Sequence, residues 1–246
     1  MNYHNDISGH ACTWLENLVK AGALPYGVVD CKPIQDINTD LSQYMQCHFF
    51  AGLGGWPLAL KLAGWPIDVE VWTGSPPCQP FSSAGLRKGI EDERHIAPVW
   101  LDLIREYRPS VIFGEQVATA VHKDGWLDTL FDSLEQEGYS CGSATLTAVG
   151  AGAPHKRNRL YFTAIAAHPQ RHEQSRKESC RREIGRMGRE QQSVPWDTTW
   201  QDALARLRTV DDGIPRNVAG TDAARNAIVP QVGVQWIRTV MEYLAQ

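Results

Sequence analysis

Residues 46–64 read QCHFFAGLGGWPLALKLAG: a short apolar run, a glycine-rich turn, then apolar residues at helical spacing. The pattern predicts a strand that runs into a tight turn and a helix, with Pro57 suited to the first helical turn. Glycines let a backbone approach a ligand closely, and the helix behind the turn offers free N–H groups to it. A tight turn needs no ligand, however, and the aromatic residues at both ends fit either an adenosine-sized group or the core.

The same alternation continues on both sides. Upstream, ACTWLENLVK (11–20) has helical periodicity and AGALPYG ends it; VVDCKPIQDINTDLSQY comes next as an extended piece with a polar tail. Downstream, VEVWTG (69–74) reads as a strand, SPPCQPFSSAG as a loop, HIAPVWLDLIREY as a helix, SVIFGEQV as a strand and WLDTLFDSLEQEG as a helix. SATLTAV and RLYFTAIA are strands framing the loop GAGAPHKRN, and the final NAIVPQVGVQWIRTVMEYLAQ has helical spacing. Apolar strands alternating with amphipathic helices predict an α/β fold with a mostly parallel sheet.

The boundaries expected are an N-terminal helix and extended segment over 1–46, a core over 47–168, a basic insertion over 169–215, and a C-terminal segment over 216–246 that returns to the core. The insertion has almost no apolar residues, and seven of residues 169–192 are Arg or Lys. Such a composition predicts a flexible, locally basic arm.

Composition bounds the class. With 246 residues, 43% hydrophobic and 21% charged, the chain has room for one domain of ordinary size, with or without a small appendage. No stretch approaches the roughly 20 apolar residues of a membrane helix, and MNYHNDISGHACTW lacks the features of a signal peptide. Six scattered cysteines, without the close pairs of zinc or redox sites, are expected as reduced thiols in a cytoplasmic protein without a metal. The net charge of -4 gives no support to wholesale nucleic-acid binding, which needs only a local basic face.

Four motifs carry chemistry. PPCQPFS places Cys78 among prolines directly after a strand, at the sheet end where ligands sit, a setting that suits a nucleophile as well as an incidental thiol. FAGLGGW (50–56) is the glycine turn. FGEQV puts Glu115 at a strand end, where a carboxyl can stay protonated and share its proton with a ring nitrogen; a solvated turn glutamate is the competing reading. HKRNRL places Arg157 and Arg159 at alternating positions on a strand, where they share one face and can hold a carbonyl or phosphate by paired N–H bonds; an exposed basic strand is the competing reading.

In this order the motifs resemble those of the DNA cytosine-5 methyltransferases. PPCQPFS is similar to that family's catalytic loop, FAGLGGW to its cofactor-binding turn, FGEQV to its Glu-Asn-Val motif and HKRNRL to its Gln-x-Arg-x-Arg strand; ARNAIVPQV resembles its final Asn-containing motif. The likeness runs from about residue 47 to 165 and resumes near 225. It implies a Rossmann-like S-adenosylmethionine-dependent methyltransferase fold with a reduced target-recognition region, similar to compact phage- or prophage-borne members.

The resemblance also implies roles. Cys78, Glu115, Arg157 and Arg159 would be catalytic: Cys78 adds to C6, Glu115 engages N3 and the amino group, Arg159 holds O2, and Arg157 positions the loop or a phosphate. Phe50, Ala51, Gly52, Leu53, Gly54, Gly55, Trp56, Pro77 and Asn226 would line the S-adenosylmethionine pocket. Gln79, Ser82, Arg87 and Lys88 would contact the flipped-out cytosine or its DNA. The partner implied is double-stranded DNA, in the cytoplasm of a bacterial or phage-infected cell, with no obligate protein partner. A catalytically weak DNA-binding descendant, or cytosine-5 modification of RNA or single-stranded DNA, stands as the alternative.

Three departures qualify the likeness. Gln116 stands where the family usually has Asn, which predicts tuned rather than abolished activity. Only about 26 residues separate the glycine turn from Cys78, where the family normally holds further strand–helix units with acidic residues for ribose and adenine. VVDCKPIQDINTDLSQY looks like that missing segment placed before the turn, so a rearranged order would let Asp30 or Asp36 serve the cofactor; both also read as ordinary loop aspartates. Finally, about 66 residues lie between Arg159 and Asn226, where the family folds a recognition domain. Little sequence selectivity, or a very short site, is expected.

Overall fold

The computed structural model describes residues 1–76, 97–121, 125–153, 156–167 and 227–245. Its frame is a seven-stranded sheet of β1 (Asn2–Asn5), β2 (Gly27–Asp30), β3 (Gln46–Phe49), β4 (Val71–Gly74), β5 (Val111–Val117), β6 (Tyr139–Thr147) and β7 (Asn158–Ala166) in the order β2-β1-β3-β4-β5-β7-β6. The first five strands in that order run parallel; β7 lies antiparallel between β5 and β6. Helices are α1 (Gly9–Lys20), α2 (Gly55–Ala63), α3 (Ala97–Tyr107), α4 (Trp126–Gln136) and α5 (Pro230–Leu244). The mostly parallel α/β sheet with flanking helices expected from the sequence is the one observed.

Two apolar layers sandwich the sheet. On one side Tyr3, Phe49, Trp72, Ile112 and Phe162 pack with Trp100 and Ile104 of α3 and Trp126, Leu130 and Leu134 of α4. On the other, Val71, Val111, Phe113 and Tyr161 pack with Trp56, Ala59 and Leu60 of α2 and Val232, Ile237 and Val240 of α5. Strands β1, β3 and β4 are buried along their whole length, as parallel strands covered on both faces must be. Gly114 on β5 is dictated by this packing, since a Cβ there would meet the Phe162 ring at 2.0 Å.

Two findings depart from the sequence expectation. The expectation contains no strand before α1, yet Asn2–Asn5 forms β1, paired with both β2 and β3. Four residues reading Asn-Tyr-His-Asn carry no apolar periodicity; position between two partners buries them, not composition. The expectation of reduced thiols throughout is also corrected: Cys12 of α1 is joined to Cys31, just after β2, across a Cα separation of 6.0 Å. The pair is 19 residues apart, so close sequence spacing gives no hint of it. Cys47 and Cys141 are free. The boundaries expected at 168/169 and 215/216, the basic arm and the short recognition region lie outside the described residues.

Candidate active site

The carboxyl ends of β1, β3, β4 and β5 face one end of the sheet, the position where ligands bind open α/β sheets. Beyond β3 the chain turns sharply: Phe50 has φ 51° and Gly54, the residue capping α2, has φ 80°. The turn is pinned to β1, with Ala51 N donating to Asn5 O (3.0 Å) and Gly52 N to Asp6 Oδ2 (2.8 Å). Gly54 supplies no side-chain oxygen to the first turn of α2. The Gly55 and Trp56 N–H groups of that turn are therefore uncapped and available to an anionic or polar ligand, Pro57 having none.

Asp6 is the functional candidate that the sequence reading missed. It sits one residue past β1; its Oδ1 accepts from Ser8 N (2.8 Å) while Oδ2 reaches the turn. An ionised carboxylate has about four acceptor sites, so both oxygens retain capacity for ligand hydroxyls. The signal available was Asp6 two residues before the helix-capping Ser8, a strand-end acid ahead of a helix start. Asp30 ends β2 at the sheet edge, its carboxylate accepting from Tyr3 Oη (2.9 Å) and lying 4.0 Å from Lys32 Nζ. Asp36 lies exposed in a short 3₁₀ turn. The segment before the glycine turn begins in β2, which β1 separates from β3, and the acid touching the turn is Asp6 rather than Asp30 or Asp36.

β4 ends at Gly74, and two side chains hold the next two residues. Trp56 Nε1 donates to Ser75 Oγ (3.0 Å) and Gln116 Nε2 to the Pro76 carbonyl (3.1 Å), while Gln116 Oε1 accepts from Val117 N (2.9 Å). Pro77, Cys78, Gln79, Ser82, Arg87 and Lys88 lie outside the described residues, as does Asn226.

Glu115 is buried at 6% exposure, two residues from the end of β5. Burial drives its carboxyl up to about 7, against the opposing charges of Arg159 and then Arg157. Arg159 Nε lies 3.0 Å from Glu115 Oε1, yet that oxygen has no aligned hydrogen bond among the described residues. The contact is an ion pair that leaves a directional acceptor site for a ligand N–H.

Arg157 is placed differently from expectation. β7 begins at Asn158, and Arg157 precedes it with φ 34°, so the two arginines do not share a strand face. Its buried guanidinium donates from Nη2 to the Ala227 carbonyl and ties the C-terminal segment to β7. Burial lowers its pKa from the ordinary arginine value. The structure brings together the glycine turn, Ser75–Pro76, Glu115 and Arg159, while Arg157 is bonded to the C-terminal segment.

Among the described residues no cluster of three or more His, Cys, Asp or Glu is arranged to hold a metal, and no helix is long and apolar enough to cross a membrane.

A family model described as C-5 cytosine-specific DNA methylase matches residues 65–204. The type II methyltransferase M.AplI of Arthrospira platensis is 30% identical over 164 residues, covering 52% of this chain and 48% of that protein. The type II methyltransferase M.HhaI of Haemophilus parahaemolyticus is 34% identical over 100 residues, covering 39% of this chain and 30% of that protein. The chain thus spans half or less of the length of these relatives. The solved structure of the methyltransferase EhMeth of Entamoeba histolytica aligns over 100% of this chain and 99% of that one, with TM-score 0.46 and 14% identity.

Proposed function

The chain belongs to the C-5 cytosine-specific DNA methylase family, and from that premise we propose that it transfers a methyl group from S-adenosylmethionine to C5 of cytosine in DNA. The observation that carries this reading is Glu115: a buried carboxyl held near neutral pKa beside Arg159, at the strand end next to the stem of the Cys78 segment.

The residues present fit the cofactor. An uncapped α2 N-terminus, a glycine turn with close backbone approach and the Asp6 carboxylate supply donors and acceptors for its polar groups, with the half-buried Phe50 in the turn; Trp56, expected to line the pocket, is instead buried in the core. When bound, S-adenosylmethionine supplies an electrophilic methyl group.

On the substrate side, cytosine C5 is too weak a nucleophile to take that methyl directly. The Cys78 thiolate forms a bond to C6, and the electrons displaced make C5 an enamine carbon. Glu115 donates its proton toward N3 as C6 is attacked and accepts from the exocyclic amino group; Arg159 donates to O2. After C5 gains the methyl, a base removes the C5 proton, and the returning electrons expel the Cys78 thiolate. The base must leave the duplex stack to reach these groups. Arg157 acts by bracing the C-terminal segment rather than by touching the base.

The same reading takes double-stranded DNA as substrate, with little sequence selectivity, in a compact phage- or prophage-like enzyme of a bacterial cytoplasm, as a solitary or restriction-linked modifier. Its support is the short interval between Arg159 and Asn226.

The test is DNA containing 5-fluorocytosine with S-adenosylmethionine. Fluorine cannot leave as a proton does, so a denaturation-resistant adduct forms, absent in Cys78→Ala and slowed by roughly 10²–10⁴-fold in Glu115→Gln. A Cys78→Ala variant that still forms the adduct overturns the nucleophile. No adduct on duplex but one on RNA or single-stranded DNA moves the substrate class.

A further inference from the structure

Trp56 touches the strands that carry Glu115 and Arg159 and the residue at the exit of β4. It is the second residue of α2, directly after the glycine turn, and is 3% exposed. Its ring stacks on Phe113 (centroids 6.0 Å apart, planes at 24°), two residues before Glu115 on the same face of β5. Its other contact is edge-on to Tyr161 (6.0 Å, 71°), the register partner of Glu115 and two residues beyond Arg159 on β7. These contacts fix the indole's orientation, and with it the direction of its single donor. That donor meets Ser75 Oγ at 3.0 Å, one residue before Pro76 and three before Cys78.

We propose that Trp56 is a positioning residue that fixes Ser75, and through it the start of the Cys78 segment, against the cofactor turn and the Glu115–Arg159 pair. The inference rests on the methyltransferase reading and deepens it. A buried indole N–H needs a partner, and here that partner is the residue at β4's exit; Phe would fill the same space without making the link. The hydrogen bond sets one rigid reference between the residue just after the methyl-donor turn and the residue that precedes the nucleophile's loop. Near-attack geometry is sensitive to displacements of about 1 Å, so a lost tether should appear in the chemical step rather than in binding.

The test uses full-length Trp56→Phe, Ser75→Ala and the double variant. Phe keeps an aromatic ring against Phe113 and Tyr161 and removes the donor. Each single variant should lose about tenfold in kcat, with the double variant losing no more than either single, because one bond is removed in all three. Affinity for S-adenosylhomocysteine should change by no more than about twofold. Additive losses, losses confined to cofactor affinity, or no loss overturn the proposal. If Trp56→Phe fails to fold, Ser75→Ala carries the comparison alone.

A second measurement reads the coupling without turnover. Mass spectrometry tracks maleimide labelling of Cys78 with and without S-adenosylhomocysteine. The wild-type response to the cofactor product should vanish in both single variants while they still bind it. An equal response in all proteins, or no response in the wild type, overturns the proposal. Failure of the methyltransferase reading shows separately, as wild-type protein that forms no adduct with 5-fluorocytosine DNA.

Discussion

Glu115 and Arg159 meet diagonally across the antiparallel β5–β7 pair, where their register partners are Tyr161 and Val117. The geometry sets two opposing effects on one carboxyl. Burial raises its pKa to about 7, and the arginine's charge restrains that rise. If the protonated acid is the working form, the fraction competent to donate falls as pH rises through about 7, and kcat/KM for DNA falls with it. Arg159→Ala removes the restraining charge, so the limb should move to higher pH even though the rate drops at every pH. A limb that stays put or moves down would show that another group controls it.

Gln116 predicts a second effect through its two hydrogen bonds. Replacing it by Ala leaves the Pro76 carbonyl and the Val117 N–H without their partners near the buried strand end. The expected cost is about 1–3 kcal/mol in unfolding free energy, with a loss of kcat because the Cys78 stem is no longer held. Gln116→Asn, one methylene shorter, should retain one bond and fall between wild type and Ala. Denaturant melts and turnover on the same preparations check both; an alanine variant equal to wild type in each would make the two bonds incidental.

The frame was legible because residues 46–74 and 110–117 announce strands by apolar runs and end them with glycine or a functional residue. Glu115 and the glycine turn stand out as candidates for the same reason, since each follows an apolar run in its own local sequence. The features that escaped depend on neighbours distant in sequence. β1 is polar and exists through pairing on both sides; Asp6 gains meaning only when Gly52 lies beside it, 46 positions away. Arg157 misled because alternation predicts a shared face only inside a strand, and its positive φ places it outside one. Cys12 and Cys31 meet because α1 returns the chain to the end of β2, a tertiary fact without a spacing signature.

A third prediction concerns acid stability. His4 and His48 stack at 4.9 Å in neighbouring strands, both fully buried, with His48 Nδ1 2.9 Å from Thr73 Oγ1. Neither ring nitrogen of His4 has a hydrogen-bond partner among the described residues. Burial lowers His4 to about 4, and His48 is lowered by burial and by His4. The unfolded chain then binds protons that the folded chain does not, so stability falls as pH drops from about 6.5 toward 4, by about 3 kcal/mol from His4 alone. Glu115 works oppositely, its raised carboxyl favouring the fold at lower pH. His4→Leu isolates the histidine: it should match or exceed wild type near pH 8 and lose less on acidification. A parallel decline in both proteins would place the acid sensitivity elsewhere.

The last prediction separates three aspartates on the β1–β2 side of the sheet. Asp6 alone contacts the glycine turn, Asp30 is engaged by Tyr3 and Lys32, and Asp36 is exposed. A carboxylate that accepts hydroxyls from the bound cofactor contributes more than a surface charge does, since hydrogen bonds to charged groups are worth about 1.5–3 kcal/mol. Asp6→Ala should therefore weaken S-adenosylhomocysteine binding by at least tenfold, Asp30→Ala less, and Asp36→Ala not measurably. Because Asp6 also anchors Gly52, Asp6→Asn distinguishes the roles. Its amide oxygen can still accept from the Gly52 N–H, so a purely structural Asp6 would be largely rescued by Asn. Titration calorimetry on the four proteins decides: retained weakness in Asp6→Asn assigns the carboxylate to the cofactor, whereas full rescue leaves it as a brace for the turn. A larger loss in Asp30→Ala than in Asp6→Ala would instead place the cofactor's acidic contact at the end of β2.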